Sequence, residues 1–365
     1  MQSRALAALA IAVLVVWAAP LAGLALAGTP LAPYLAFPPR TARVAAAPFS
    51  WPAFALFSLP AIGALALYCA ALICSTSKRA KPAGRFPWWG WLGLAFSALA
   101  WAAAWSDGLV PISRSGLVFT LLWLGYILAM NALAWRRNRV SPLTHRPALF
   151  LSLFPLSAAF WWVFEHLNQF VHNWYYIGAP DESDRDYIQR ATLPFSTVLP
   201  AVASTWAWLS GRPRLATLSL PALRGGRRAA WIALAAGAAA LAGIGVRPDL
   251  LFPMLWLAPL LVLAGVAQLV VGDTPFSAIA RGDWRPVLQS ALAALVCGFF
   301  WELWNWGSAV KWHYSIPYVQ RFQVFEMPLL GYAGYLPFGI ECALVIDLAA
   351  RIIERRPAWP PTGSL

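Results

Sequence analysis

The sequence predicts an all-α, polytopic membrane protein of about ten transmembrane helices with two parallel four-helix repeats. Of its 365 residues, 60% are hydrophobic and only 11% are charged, which is far from the composition of a soluble domain. Apolar runs of roughly 18–24 residues recur along the chain, and each is long enough to cross a bilayer as a helix. A motif with a glutamate among several tryptophans occurs twice, and this duplication predicts the repeats.

The apolar runs give the predicted helices in order. They lie near 5–27, 52–74, 88–106, 116–135, 148–171, 193–210, 229–246, 250–271, 286–306 and 328–349. The first run is longer than the apolar core of a signal peptide, which is about 7–15 residues. We therefore interpret it as a retained helix.

The positive charges predict the orientation of these helices. The net charge is +13, and most of the 27 lysines and arginines fall in alternate loops, such as 78–85, 136–146 and 212–228. An excess of basic residues marks the cytoplasmic side, so both termini are expected in the cytoplasm and the protein in the inner (plasma) membrane. Charge in short loops between apolar runs indicates topology rather than a nucleic-acid partner. The sequence does not define an oligomeric state.

The predicted helices divide the chain into four parts. A two-helix hairpin occupies 1–85, the first repeat 86–228, the second repeat 229–356, and a C-terminal tail 357–365. The two motif glutamates lie four predicted helices apart, so their helices cross the membrane in the same direction. Parallel repeats related by an axis along the membrane normal are a known way to build a central site.

Each copy of the motif places a Glu and an Asn ahead of an aromatic loop. The second copy, at 298–337, contains Glu302 and Asn305, with Trp301 and Trp304 beside them. Its loop contains Trp312 and Tyr314, and Glu326 and Pro328 follow. The matching residues of the first copy are Glu165, Asn168, Trp174 and Tyr176.

Glutamates within apolar helices predict a functional site. An ionised carboxylate there costs several kcal/mol unless it faces the bundle interior with a partner, and burial favours the neutral acid. An Asn three residues later lies on the same helix face, where we expect it to hydrogen-bond the carboxyl group. Two facing Glu–Asn pairs, Glu165–Asn168 and Glu302–Asn305, would form a proton-donating and proton-accepting dyad.

The aromatic residues of the motif predict an apolar substrate pocket around this dyad. Its expected walls are Trp301, Trp304, Trp312, Tyr314, Trp174 and Tyr176. Their ring faces could also stabilise a cation. The same residues would equally suit a structural polar clamp between helices, which is the alternative interpretation.

Other carboxylates allow two interpretations each. Glu326 is a further catalytic candidate, but its place before Pro328 also suits the start of a helix. Glu341, in the last predicted helix, could relay protons or pair with a neighbouring helix. Asp347 lies four residues before Arg351, which predicts a surface ion pair.

Metal ligation is a further alternative for the first copy, because Glu165, Asn168 and His172 share one helix face. A di-iron bundle would carry His three residues after Glu, whereas both copies carry Asn. Asn is a poor iron or zinc ligand, and His172 has no counterpart in the second copy. The four cysteines show no zinc-type spacing. We therefore expect neither a metal nor another cofactor.

At these residues the chain resembles the integral-membrane lycopene cyclases of bacteria, archaea and fungi. The resemblance is carried by Trp301-Glu302, Trp312-His313-Tyr314 and Glu326-Met327-Pro328, and more faintly by Glu165, Trp174 and Tyr176. That family uses two such units, and its carboxylates are thought to protonate a polyene end group and to collect a proton after ring closure, without redox change. The resemblance implies Glu302 as the acid, with Glu165 or Glu326 as its counterpart.

The chain also departs from that family's pattern. Glu stands in place of Asp, the family's Pro-x-Glu-Glu is not matched, and Thr192 occupies the position in the first unit that Glu326 has in the second. The resemblance therefore implies a shared fold unit more than a shared substrate.

Three functions are compatible with the sequence. The first is a cofactor-independent enzyme that acts on an isoprenoid, a carotenoid or another membrane lipid by non-redox acid–base chemistry. The second is a proton-coupled transporter or channel, in which parallel repeats and buried carboxylates are equally common. The third is a non-catalytic subunit of a larger assembly. A transporter predicts polar residues from Glu302 through Glu341 to the cytoplasmic face, and the few polar residues between them favour the enzyme.

Overall fold

A computed structural model describes residues 1–75, 83–106, 116–178 and 182–357. In these ranges helix is the dominant secondary structure, which confirms the all-α prediction. The helices are α1 Gln2–Leu26, α2 Trp51–Cys74, α3 Trp88–Ala104, α4 Gly116–Asn138, α5 Pro142–His145, α6 Pro147–Val171, α7 Asp184–Phe195, α8 Val198–Ser210, α9 Arg227–Val246, α10 Pro248–Leu251, α11 Met254–Val270, α12 Arg285–Trp306 and α13 Tyr335–Ile353. Lys78, Arg79 and Lys81 of the predicted basic loop, and 358–365 of the predicted tail, lie outside the described residues.

Every predicted apolar run overlaps a helix, but not every helix is long and apolar enough to cross a membrane. Within the described residues, six helices are long and apolar enough: α1, α2, α4, α6, α9 and α12. A seventh span results if α11 is counted together with the 3-10 helix Pro275–Arg281, from which it is bent by 82°. Helices α3 and α11 have 17 residues each, and α8 has 13. Several apolar helices of membrane-spanning length are thus present, and ten crossings stay a prediction.

Glycines allow two helix pairs to pack closely. A Cβ atom on Gly23 of α1 would lie 1.9 Å from the backbone oxygen of Ala242 in α9. A Cβ on Gly93 of α3 would lie 2.9 Å from the backbone oxygen of Gly125 in α4. Small residues at such crossings are typical of helices that associate in a lipid environment, where close van der Waals packing drives association.

The main core lies between α4, α6, α8, α12 and α13, where Trp123, Phe164 and Phe338 are fully buried. Helix α1 packs against α9, α11 and α13. Helix α2 lies at the periphery, and only 6% of its most apolar window is buried inside the protein. Its exposed leucine and isoleucine side chains suit contact with lipid.

Four short strands follow the helices that carry the motif. Strand β1 Trp174–Ile177 follows α6, and β2 Lys311–Tyr314 follows α12. The remaining strands, β3 Gln323–Val324 and β4 Met327–Pro328, pair with each other. A 3-10 helix at Leu329–Gly334 comes next, so the last helix begins at Tyr335 and not at 328 as predicted. Backbone pairing by Met327 and Pro328 accounts for this later start.

Candidate functional site

The two motif asparagines hold the first aromatic residue of each loop in the same way. Asn305 Nδ2 donates to the Trp312 carbonyl at 2.8 Å, and the Trp312 amide donates to Asn305 Oδ1 at 2.8 Å. Asn168 Nδ2 donates to the Trp174 carbonyl at 2.8 Å, and the Trp174 amide donates to Asn168 Oδ1 at 3.3 Å. These bonds replace the predicted bonds from Asn to Glu. Each Asn therefore positions the loop that follows its helix.

Strands β1 and β2 bring the two aromatic loops together. They pair antiparallel, with Trp174 opposite Tyr314 and Tyr176 opposite Trp312. Alternate residues of a strand point to opposite faces, so these four side chains share one face of the ribbon. On the other face the rings of Tyr175 and His313 stack at 6.1 Å.

Glu165 is fully buried and is held by three donors. Its Oε1 accepts hydrogen bonds from Tyr176 Oη at 2.6 Å, Trp161 Nε1 at 3.0 Å and Trp174 Nε1 at 3.2 Å. Its Oε2 has no hydrogen-bond partner among the described residues. Trp161 was not predicted, although its position four residues before Glu165 places it on the same helix face.

Glu302 is also fully buried, and its partners resemble those of Glu165. Its Oε1 accepts from Tyr314 Oη at 2.6 Å and from Tyr335 Oη at 2.9 Å. Trp312 Nε1 donates to Tyr314 Oη at 2.8 Å and so orients that hydroxyl. Within the described chain, Oε2 of Glu302 likewise has no partner. Tyr335 was not predicted, because it lies 33 residues further along the chain in another helix.

A cavity of about 130 Å³ lies between these two sets of residues. Its lining includes Trp161, Trp174 and Tyr176 of the first set, and Trp301, Trp312, Tyr314 and Tyr335 of the second. Neither glutamate lines the cavity. Tyr176, Tyr314 and Tyr335 therefore connect the buried carboxyl groups with the cavity wall. Trp304, also predicted as a wall, packs against Trp123 instead, with ring centroids 4.9 Å apart.

The two glutamates do not form the direct dyad that the sequence suggested. Among the hydrogen bonds of the described residues, none joins Glu165 to Glu302. Each carboxyl group instead binds aromatic donors of its own copy.

Two of the tyrosines that bind the glutamates, Tyr176 and Tyr314, lie on strands β1 and β2, whereas Tyr335 is the first residue of α13. Burial raises the pKa of Tyr176 well above its usual value, and the neighbouring Glu165 raises it further. Burial raises the pKa of Tyr314 in the same way, with Glu302 as the second cause. Both phenols are therefore neutral throughout the physiological range and available as hydrogen-bond donors.

The other predicted carboxylates do not line this cavity. Glu326 binds Lys311 Nζ at 2.9 Å and lies 3.2 Å from His313 Nδ1, so it pairs with β2 and does not begin a helix. Glu341 is 4% exposed, and its Oε2 has no partner in the described part of the chain.

Asp347 and Arg351 form the predicted pair at 2.6 Å, but both are buried rather than on the surface. Helices α1, α11 and α12 all pack against α13, which carries the pair.

Metal ligands do not cluster in the part of the chain that the structure describes, where no three His, Cys, Asp or Glu side chains come together. His172 ends α6 in a left-handed conformation, with φ of 51°.

Fold and site together define an all-helical chain with several apolar helices of membrane-spanning length and two buried glutamates beside one aromatic cavity. The chain matches no family model, no curated protein and no solved structure.

Proposed function

We propose that the protein is an integral inner-membrane enzyme that acts on an apolar isoprenoid or lipid by non-redox acid–base chemistry. The observation that carries this proposal is the aromatic cavity with two Tyr–Glu pairs at its wall. Tyr176 and Tyr314 line the cavity, and each donates to a buried glutamate at 2.6 Å. Two separate proton-transfer groups facing one apolar space suit a reaction in which one carbon gains a proton and another loses one.

The proposed reaction starts with one glutamate protonated and the other ionised. At the acid site, the tyrosine hydroxyl gives its proton to a carbon–carbon double bond and takes the proton of its glutamate. A carbocation results. At the base site, the second tyrosine accepts a proton from a neighbouring carbon and passes its own to the ionised carboxylate. The product is an isomer of the substrate, and no oxidant or reductant is needed.

The two sites exchange protonation states in each turnover. The glutamate that began as the acid ends ionised, and the other ends protonated. If Glu165 and Glu302 are equivalent halves of a duplicated unit, the next turnover can run in the opposite sense. Their matching Asn and Tyr contacts support this equivalence and the proposed parallel repeats.

The cavity walls suit the intermediate as well as the substrate. A carbocation is stabilised by the negative face of an aromatic ring, and an apolar enclosure keeps water from trapping it. Trp161, Trp174, Trp256 and Trp301 all line the cavity. This aromatic lining favours the enzyme over a transporter, whose pathway needs polar groups along its length.

Lipid and pigment profiling of cells tests the proposal. We would compare wild type with Glu302→Gln and Glu165→Gln, each at a protein level verified by immunoblot. Each variant keeps the shape of the carboxyl group but cannot carry its proton, so we expect loss of one isoprenoid or lipid product and accumulation of its isomer. Asp184→Asn, at a carboxyl group that is 70% exposed, is the matched control and should leave the profile unchanged. An unchanged profile in both Glu variants would overturn the proposal.

A further inference from the structure

Two cationic side chains line the same cavity. They are Arg190 of α7 and Lys311 of β2, and among the described residues no acidic side chain joins them in the lining. Both are largely enclosed, with 16% and 23% of their side chains exposed. In the described part of the chain, Arg190 is paired with Glu182 and Lys311 with Glu326. The proposed acid–base chemistry on an apolar chain uses neither cation.

Both cations retain hydrogen-bond capacity beyond these ion pairs. Arg190 binds Glu182 through Nε and Nη2, and its Nη1 has no partner among the described residues. Lys311 Nζ donates to Glu326 and to the Trp306 carbonyl, which leaves one of its three protons unused. Arg190 Nη1 is not fully buried, so it can reach water or a ligand. A ligand that supplies anionic oxygens could accept charge-assisted hydrogen bonds from it and from Lys311.

The two cations come from different elements of the cavity wall, Lys311 from β2 and Arg190 from α7. Lys311 follows the C-terminal end of α12. Arg190 precedes the part of α7 that runs along α6, where Trp162 donates to Thr192 at 3.1 Å and Ser157 to the Phe195 carbonyl at 2.6 Å. Trp161 lies about 15 Å from the C-terminal end of α6, at 1.5 Å per residue. The cavity wall therefore combines two cations with aromatic side chains.

We propose that the molecule bound in this cavity is an amphiphile with a phosphate head and an isoprenoid-like tail. Arg190 and Lys311 bind the phosphate oxygens, and the tail lies along the tryptophan walls beside the two Tyr–Glu pairs. A guanidinium and an ammonium group in the wall of one cavity suit a phosphate, since both form charge-assisted hydrogen bonds with its oxygens. This inference rests on the proposed function, because it names the substrate class of the same cavity.

Binding of defined ligands to the full chain in lipid nanodiscs tests the inference. The ligands are farnesyl phosphate, farnesol and inorganic phosphate, and tryptophan fluorescence reports binding. We expect farnesyl phosphate to bind at least tenfold more tightly than farnesol, which corresponds to about 1.4 kcal/mol, and inorganic phosphate to bind weakly. Equal affinity for farnesyl phosphate and farnesol would overturn the proposal that the cavity binds a phosphate head group. If inorganic phosphate bound as tightly as farnesyl phosphate, the proposal that the cavity binds an isoprenoid-like tail would be overturned.

Charge variants assign the preference to the two cations. Two variants are tested. One is Lys311→Gln, and the other is a double variant that combines Glu182→Gln with Arg190→Gln. Each should reduce the preference for farnesyl phosphate over farnesol while leaving farnesol binding unchanged. The double variant avoids an unpaired Glu182, and the farnesol arm shows that the cavity is folded. Arg321→Gln, an exposed cation outside the cavity, is the matched control. A phosphate preference that survives in both cavity variants would overturn the assignment.

The two proposals fail in different ways. Binding needs no turnover, so it can be measured in Glu302→Gln, which keeps both cations. A lost product in Glu302→Gln cells, without a preference for farnesyl phosphate, would overturn the head group and leave the acid–base chemistry standing. A clear preference with an unchanged lipid profile would overturn the chemistry and leave an amphiphile-binding protein.

Discussion

Tyr176 and Trp312 face each other across a two-stranded antiparallel ribbon, although 136 residues separate them along the chain (312 minus 176). The opposite pairing, Trp174 with Tyr314, lies beside it. The Trp of each Trp-x-Tyr loop is therefore paired with the Tyr of the other loop. This local two-fold arrangement places the two Tyr–Glu pairs at the wall of one cavity.

Removing a single hydroxyl group should stop the proposed proton relay without unfolding the protein. We expect Tyr314→Phe and Tyr176→Phe each to lower product formation by about 10²-fold or more, the usual contribution of general acid–base catalysis. Product would be measured by lipid profiling of cells with matched protein levels. Tyr175→Phe is the control, because its ring lies on the other face of the ribbon, against His313. Full activity in both relay variants would contradict the role of the tyrosines.

Five of the six aromatic residues that the sequence predicted as walls line one cavity, but their contacts were not predicted. Hydropathy and the repeated Glu and Asn identified the helices and the motif, because both signals are local. The antiparallel pairing of the loops was not predictable, since nothing in either loop encodes its register with a strand so distant in sequence. For the same reason, the bonds from Asn305 and Asn168 to the backbone were missed. Tyr335 was missed because its contact with Glu302 depends on how α13 packs against α12.

The burial of individual side chains was the other feature that could not be predicted from the local sequence. Spacing correctly paired Asp347 with Arg351, but a pair near a helix end is usually exposed, and this one is buried on a helix that packs against others from distant parts of the chain. The start of α13 was placed too early for a related reason. Hydropathy treats 328–334 as part of an apolar helix, whereas the structure forms β4 and a 3-10 helix there.

The Asn–backbone contacts predict a stability effect separate from catalysis. Asn305→Ala should lower the free energy of unfolding by about 2 kcal/mol, because it leaves the Trp312 amide and carbonyl without partners. Thermal unfolding in detergent would show this as a lower Tm. Asn305→Asp keeps the acceptor for the Trp312 amide and should lose less. An unchanged Tm in Asn305→Ala would show that these bonds add little to stability.

The ion pair between Glu354 and Arg146 predicts a pH-dependent contribution to stability. Burial alone would raise the pKa of Glu354, but hydrogen bonds from Arg146 and Arg356 outweigh it and hold the pKa below its usual value. A carboxyl group whose pKa is lower in the folded than in the unfolded protein stabilises the fold at pH values above its unfolded pKa of about 4.3. This stabilisation is lost as the pH falls through the pKa of the folded protein. We therefore expect Glu354→Gln to lower the Tm at pH 7, with the difference from wild type shrinking below about pH 4. A difference that persists at low pH would contradict the ion-pair explanation.

The proposed orientation predicts which loops a membrane-impermeant thiol reagent reaches. In a variant without the four native cysteines, Arg321→Cys should be labelled from outside intact cells. Arg281→Cys should be labelled only after the membrane is opened, because its loop belongs to the basic, cytoplasmic set. Both side chains are exposed, so accessibility within the protein is matched. The reverse labelling pattern would place both termini outside.

Glu341 presents a buried carboxyl group for which the described structure offers no hydrogen-bond partner at Oε2. Burying a polar group without compensation costs about 1–3 kcal/mol, so Glu341→Met, of similar size, should raise the free energy of unfolding by about that much. Glu341→Gln keeps a polar group in the same place and should gain less. Chemical unfolding in detergent would measure both.

The lipid profile of the same variants separates the two sequence interpretations of Glu341. Because this residue does not line the cavity, we expect Glu341→Met to leave the products unchanged while stabilising the fold. A stabilised protein that has lost its product would instead assign Glu341 a part in proton supply, since function is a common reason for a protein to retain a destabilising buried group. A destabilised Glu341→Met would show that the carboxyl group has a stabilising contact within the bundle.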